Sequence, residues 1–305
     1  MPLILPDQLP AVELLKQENI FTMGYKRADS QQIRPLRLAI LNLMPIKITT
    51  ETDFVRILSN SALQVQIDFM KIKSHTSKNT PIEHMKMFYR NFEDMKKEKY
   101  DGLIVTGAPL EFLDYEDVTY WDELQDVFNW AHHNVTSTIY VCWAAYAALY
   151  HFFGVPKYNT PSKVFGVFSH RMLAPELPIF RGFDDEFFAP HSRHCEVRRE
   201  DIEAVEGLDI IADSEDAGVT IVSARSGREI FITCHLEYSP LTLDGEYKRD
   251  VAKGLDIEIP KNYYKNDDPS QYPVVRWRAA ANLLYTNWLN YYVYQETPFN
   301  INEIE

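Results

Sequence analysis

The apolar positions of the chain fall into short continuous runs and longer stretches of helical period. A continuous apolar run of about four to eight residues predicts a buried strand, and apolar residues three and four apart predict a helix. The strands predicted in the first half are 37–43, 65–72, 101–106 and 138–141. Helical stretches cover 51–59, 83–97, 120–131 and 143–153. Repeated strand–helix–strand units predict an α/β fold with three layers, a mostly parallel sheet flanked by helices.

The second half of the chain is richer in strand patterns. Further strands are predicted at 163–168, 208–212, 219–223 and 229–234, and a closing helix is predicted at 275–294. The chain contains no internal repeat and no low-complexity linker. The pattern therefore predicts one domain over residues 1–305, with residues 1–35 as an extension packed on it or on a partner subunit.

The chain is acidic, with 31 Lys and Arg against 44 Asp and Glu, a net charge of −13. This charge repels nucleic acid phosphates and anionic lipid, so we expect neither nucleic acid nor a membrane as a partner. The start lacks a basic segment followed by an apolar run, and no stretch of about 18 apolar residues exists to span a bilayer. Three cysteines without a CxxC pair indicate a reducing compartment, and cytoplasm is the expected location.

Metal and nucleotide motifs are missing from the sequence. His191, His194 and Cys195 are close together but fit no common zinc spacing, so no metal is expected. The eleven glycines form neither G-x-G-x-x-G nor G-K-[ST], which argues against a bound nucleotide cofactor.

Cys142 is the first position that indicates chemistry. It ends a predicted buried strand and begins a helix with no intervening loop. Such an elbow lifts a side chain at the carboxyl edge of a sheet and directs main-chain N–H groups and the positive helix end towards it. Both effects favour a nucleophilic thiolate. The alternative is a buried structural cysteine.

His235 and Glu237 follow another predicted strand and are two residues apart, so in extended chain they face the same side. A carboxylate beside an imidazole fixes its tautomer and supports its charge during proton transfer. Together with Cys142 they form the minimum set for thiol acyl chemistry. The alternative is a surface His–Glu pair at a strand end. Cys234 is offset by one residue and is expected in the core.

Four stretches of the chain resemble the homoserine O-acyltransferase family of methionine biosynthesis, commonly called the MetA type. They are RPLRLAILNLMPIKITTETDFVRILSNS from Arg34, GLIVTGAPLEFLDYEDVTYW from Gly102, YVCWAAYAALYHFFGVPK from Tyr140 and CHLEYSPLTLDGEYKRD from Cys234. The resemblance extends from about Met1 to Phe299. It implies a fold similar to class I glutamine amidotransferases, L-homoserine and acetyl-CoA as substrates, no resident cofactor, and a homodimer.

The resemblance also implies residue roles. Cys142 would form the acyl-thioester, His235 would accept the proton, and Glu237 would orient His235. Around the homoserine the family uses residues that match Lys163, Ser192 and Arg249 here; Arg249 suits the α-carboxylate because its guanidinium is a two-pronged donor. For the oxyanion, Lys47 in the turn after the first strand and the main-chain N–H near Trp143 are candidates. The alternative for Lys47 is a solvated turn lysine.

Glu111 bears on the acyl donor. Family members that resemble succinyltransferases usually carry Gly there, and acetyl-using members carry Glu. A carboxylate in the acyl pocket fills space and repels the free carboxylate of a succinyl group. This favours acetyl-CoA, with homoserine O-succinyltransferase as the alternative. An amidotransferase-like hydrolase and an inactive scaffold are more distant alternatives, because CWAAYA lacks the glycines usual in amidotransferases and no triad member is missing.

Overall fold

A twelve-stranded sheet is the frame of the computed structural model, which describes residues 3–6, 8–18, 22–25, 34–74 and 79–304. Its strands in chain order are β1 Leu3–Ile4, β2 Thr22–Met23, β3 Leu36–Leu41, β4 Val65–Lys71, β5 Tyr89–Asn91, β6 Tyr100–Val105, β7 Val135–Val141, β8 Tyr158–Met172, β9 Glu186–Glu196, β10 Leu208–Ser214, β11 Gly218–Ala224 and β12 Glu229–Ile232. The order across the sheet is β2-β1-β4-β3-β6-β7-β12-β11-β10-β8-β9, and β5 pairs with β4.

The sheet has a parallel part and an antiparallel part. Every pairing from β2 through β12 in this order is parallel, as is that of β5 with β4. The pairings among β12, β11, β10, β8 and β9 are antiparallel. The expectation of a mostly parallel sheet flanked by helices is therefore confirmed.

The α-helices lie against both faces of this sheet. They are α1 Pro10–Gln17, α2 Lys47–Leu58, α3 Ile82–Phe88, α4 Phe92–Met95, α5 Trp121–Asn134, α6 Trp143–Phe153, α7 Arg199–Glu203, α8 Thr242–Ala252 and α9 Arg278–Asn287, and a π-helical segment Trp288–Tyr294 continues α9. Short 3-10 turns occur at Tyr115–Asp117, Pro178–Phe180, Arg225–Gly227, Lys265–Asp267 and Ile301–Glu303. No described helix is long and apolar enough to cross a membrane.

The central strands are buried on both faces, which explains their continuous apolar sequences. In β3, Leu38 and Ile40 belong to one apolar cluster, while Ala39 and Leu41 belong to a second cluster on the opposite face. The first cluster includes residues of α2 and α9, and the second includes residues of α5 and α6. These two layers hold the parallel strands in register.

Two predicted helices differ from the structure. The stretch 83–97 is broken into α3, the strand β5 and α4. Tyr89 is the physical reason, because its hydroxyl donates to Glu51 at 2.5 Å and accepts from Asn42 at 2.9 Å, which draws the chain into the sheet. The closing helix begins at Arg278, three residues later than predicted, and becomes π-helical from Trp288.

Candidate active site

Cys142 lies in the strand–helix elbow that the sequence predicts. Strand β7 ends at Val141 and α6 begins at Trp143, leaving Cys142 as the N-cap with φ 52° and ψ −117°. This positive φ is uncommon for a residue with a side chain and is held by packing on all sides. The main-chain N–H of Cys142 donates to Ile232 at 2.7 Å, which ties the elbow to β12.

Gly107, two residues after β6, approaches Cys142 more closely than a side chain at this position would allow without adjustment. A Cβ at this position would lie 3.2 Å from the Cβ of Cys142 and 3.7 Å from the main-chain nitrogen of Trp143. The Trp143 N–H is in the first turn of α6, where no intrahelical acceptor exists. The indole of Trp143 is fully buried.

His235 and Glu237 are brought to Cys142 by the segment after β12. The Nδ1 atom of His235 lies 2.7 Å from Oε1 of Glu237, and the His235 ring is a hydrogen-bond partner of Cys142. Both residues are buried, so the alternative of a His–Glu pair on the surface is wrong. Burial alone would lower the pKa of His235, but the Cys142 sulfur and the Glu237 carboxylate raise that pKa well above its ordinary value.

The other two cysteines differ from Cys142. Cys195 and Cys234 are both fully buried, as expected for Cys234, and burial raises the pKa of both thiols. His191 and Cys195 lie on β9, where the imidazole of His191 pairs with that of His170 at 2.9 Å. Across the described residues, no group of three or more His, Cys, Asp or Glu side chains could hold a metal ion.

The three residues assigned to homoserine by resemblance converge on two carboxylates of α8. Lys163 lies 3.4 Å from Oε2 of Glu246 and 3.7 Å from Oδ2 of Asp250. Ser192 donates to the same Glu246 oxygen. Arg249 holds Asp250 in a fork, with Nε at 2.7 Å and Nη2 at 2.9 Å.

Tyr238 connects this group to His235. Its ring stacks on His235 at 4.1 Å with an interplanar angle of 11°, and its hydroxyl donates to Glu246 at 3.2 Å. Glu246, Asp250, Tyr238 and Gly107 were not identified from the sequence. Glu246 could have been identified because it lies on the same helix as Arg249, but no helix was predicted for this segment.

Lys47 is the first residue of α2, and Glu111 lies in the loop after β6. The ammonium of Lys47 donates to the main-chain oxygens of Asn42 at 2.6 Å and Met44 at 3.1 Å, and burial lowers its pKa to about 8. Its role at the oxyanion stays a prediction. The carboxylate of Glu111 acts electrostatically on His194 and Cys195.

A buried thiol beside an imidazole that is hydrogen-bonded to a carboxylate is the arrangement that cysteine-dependent acyl or amide chemistry requires. The fold is that of class I glutamine amidotransferases. The structure of a glutamine amidotransferase from Thermotoga maritima matches with a TM-score of 0.54 at 12% identity, covering 85% of this chain and 98% of that one. One from Methylobacillus flagellatus matches with a TM-score of 0.52 at 14% identity, covering 85% and 95%.

Sequence comparison identifies the family within this class. Residues 2–299 match the profile of the homoserine O-succinyltransferase family, and the chain belongs to that family. A homoserine O-acetyltransferase of Bacteroides fragilis is 66% identical over 304 residues, with 100% of both chains covered. Proteins of the same name from Bacteroides thetaiotaomicron and Acetivibrio thermocellus are 66% and 57% identical, again with 100% of both chains covered.

Proposed function

We propose that the protein is a homoserine O-acetyltransferase that transfers the acetyl group of acetyl-CoA to the hydroxyl of L-homoserine through a thioester on Cys142. The observation that carries the proposal is the Cys142–His235–Glu237 arrangement in a chain up to 66% identical, over its full length, to proteins of that name. Glu111 supports acetyl as the acyl group, because its carboxylate would repel the terminal carboxylate of a succinyl group.

The first half of the reaction forms the acyl-enzyme. The Cys142 thiolate attacks the thioester carbon, a tetrahedral oxyanion forms, and the bond to the coenzyme A sulfur breaks. The main-chain N–H of Trp143 at the start of α6 suits the oxyanion, since it has no acceptor within the helix and the helix dipole favours negative charge. The leaving thiolate takes the proton held by His235.

The second half transfers the acyl group to homoserine. His235 removes the hydroxyl proton as that oxygen attacks the thioester, and Cys142 leaves as thiolate. The Arg249 fork uses Nε and Nη2 for Asp250, so Nη1 is the donor offered to the α-carboxylate. The Glu246 carboxylate, between Ser192, Tyr238 and Lys163, suits the α-ammonium group.

The test compares coenzyme A release from acetyl-CoA and succinyl-CoA, with and without L-homoserine. Strong release that depends on homoserine and occurs with acetyl-CoA is the expected result. The Cys142→Ala variant should fold normally and lose turnover by a factor of at least about 10³. Preference for succinyl-CoA would keep the chemistry and reject the acetyl assignment, while release from neither donor would favour an amidotransferase-like hydrolase or an inactive scaffold.

Two further parts of the proposal concern the state of the protein. The family resemblance implies a homodimer, which sedimentation of the full chain would test by its mass. A cytoplasmic location follows from the cysteine content and would be tested by cell fractionation.

A further inference from the structure

The loop after β6 carries Glu111 but has little regular structure to fix it. Within the loop, the Leu110 N–H donates to Ala108 at 2.9 Å and the Leu113 N–H donates to Leu110 at 3.1 Å. Phe112 is 68% exposed and Leu113 is also exposed. These local turns do not define where the Glu111 main chain lies relative to the sheet.

Lys157 makes the contact that fixes the position of the Glu111 main chain. Its ammonium donates to the main-chain oxygen of Glu111 at 2.7 Å and lies 5.3 Å from the centroid of the Tyr115 ring. Within the described part of the chain, no carboxylate forms an ion pair with Lys157. The ammonium is therefore directed to the loop carbonyl, a charge-assisted hydrogen bond stronger than one between neutral groups.

The chain is closely packed next to both partners of this contact. Tyr115 is buried and stacks between Trp121 and Tyr150, at centroid distances of 5.2 Å and 4.7 Å. At the other end, α6 stops at Gly154, whose φ of 68° forms the left-handed cap, and Lys157 follows three residues later. The N–H of Val155 donates back to Leu149 at 3.3 Å, which fixes the chain after the helix.

The helix α6 thus joins the nucleophile and the tether. Cys142 caps its first turn, and Lys157 follows its last turn and holds Glu111. A rigid helix keeps these two points at a constant separation, so the Glu111 main chain is positioned relative to the sulfur through one element. Loss of the tether would let the loop move away from the nucleophile while the triad itself stays intact.

We propose that Lys157 is a positioning residue for acyl-donor selectivity, which acts by holding the Glu111 loop against the acyl pocket. This inference rests on the proposed function, because it requires that Glu111 excludes a donor with a terminal carboxylate. A long, flexible cation is suited to the role, since it reaches the carbonyl across a gap and leaves the Glu111 side chain free to face the acyl group.

The experiment compares the full-length wild type with Lys157→Met, Lys157→Arg and, as matched control, Lys97→Met. Lys97 is exposed and precedes β6, at the other end of the strand from the Glu111 loop. The kcat/KM ratio for acetyl-CoA over succinyl-CoA is measured at saturating homoserine. Lys157→Met should lower this ratio by about tenfold or more, whereas Lys157→Arg, which keeps a cationic donor, should retain most of it. Lys97→Met should leave it unchanged.

A Lys157→Met enzyme with the wild-type ratio would overturn the proposal. Amide hydrogen exchange over residues 108–114, measured on the same samples, separates this failure from failure of the proposed function. If the wild type itself does not prefer acetyl-CoA, the donor assignment fails. Faster exchange in Lys157→Met would then still support the tether, and unchanged exchange would overturn the tether as well.

Discussion

At the scale of single residues, the state of His235 decides how reactive Cys142 is. Glu237 and the Cys142 sulfur raise the pKa of His235 against the opposing effect of burial, so the imidazolium that stabilises a thiolate persists to higher pH. Replacing Glu237 with Gln keeps the size and a hydrogen-bond acceptor but removes the negative charge. The pKa of His235 should therefore fall. The equilibrium should shift from the thiolate–imidazolium pair towards the neutral thiol and imidazole.

We predict that Glu237→Gln slows alkylation of Cys142 by iodoacetamide about tenfold or more at pH 7. This corresponds to a displacement of the pH profile of alkylation by at least about one pH unit. The pH profile of alkylation should move towards alkaline pH. Mass mapping of the labelled peptides separates Cys142 from Cys195 and Cys234, whose thiols should remain protonated and unlabelled because burial raises their pKa. An unchanged profile would show that Glu237 has no electrostatic effect on the pair.

The sequence was sufficient for the residues whose chemistry is local and insufficient for those assembled by tertiary contact. Cys142 was predicted because strand, nucleophile and helix are consecutive. Tyr238 and Glu246 acquire their roles only when α8 packs beside β8 and β9, so that Glu246 meets Ser192. Lys157 was missed for the same reason, since its partner is a main-chain oxygen 46 residues away.

At the scale of elements, α2 places a buried carboxylate close to the triad. Burial raises the pKa of Asp53 to about 7 from an ordinary value of 3.8; Arg56 opposes this shift and the negative charge of Glu237 adds to it. Asp53 and Glu237 also line one cavity of about 820 Å³, which Cys142 does not line. A carboxyl group with a raised folded-state pKa favours folding in its protonated form.

The sign of the pH dependence follows from these two pKa values. Below about pH 4, Asp53 is protonated in both the folded and the unfolded chain, so its ionisation costs no stability. As pH rises to about 7, the unfolded chain loses this proton before the folded one does, and stability falls. Asp53→Asn should therefore be increasingly more stable than wild type from pH 5 to pH 8, as measured by urea unfolding. Asp126→Asn, at an exposed position of α5, serves as control. A difference that does not vary with pH would contradict the prediction.

The elements themselves were predictable where burial and local pattern agree. Four of the parallel strands, namely β3, β4, β6 and β7, and the helix α6 are continuous apolar or periodic stretches, and each was predicted. Strand β9 was missed because it interleaves His191, Arg193 and Cys195, all buried, with more exposed residues such as Ser192 and His194. A buried arginine that donates to the main-chain oxygens of Cys195 and Ala217 has no apolar signature in sequence.

At the scale of the whole molecule, the two edges of the parallel sheet differ in function: one carries the candidate active site and the other carries contacts that stabilise the fold. The carboxyl edge holds Gly107 and Cys142 after β6 and β7. The amino edge holds the chain together around Asp101, near the start of β6, whose side chain is fully buried. Asp101 accepts from Arg34 at 2.9 Å and 3.0 Å, from the Arg37 N–H at 2.7 Å, and from Thr297. One carboxylate thereby joins the entry to β3, the strand β6 and the C-terminal segment.

Because Asp101 and the candidate active site lie at opposite ends of β6, we predict that a change at Asp101 lowers stability without lowering activity. Asp101→Asn leaves Arg34 without its anionic partner and turns two accepting oxygens into one, so it should lower the free energy of unfolding by roughly 3 kcal/mol. Because β6 spans about 20 Å, the catalytic edge should keep its geometry and kcat/KM per folded molecule should stay within about twofold of wild type. Urea unfolding and homoserine-dependent coenzyme A release check the two halves, and Asp209→Asn, at an exposed position of β10, is the matched control. A loss of kcat/KM that accompanies the loss of stability would mean that the amino edge also positions the nucleophile, and the division between the two edges would be wrong.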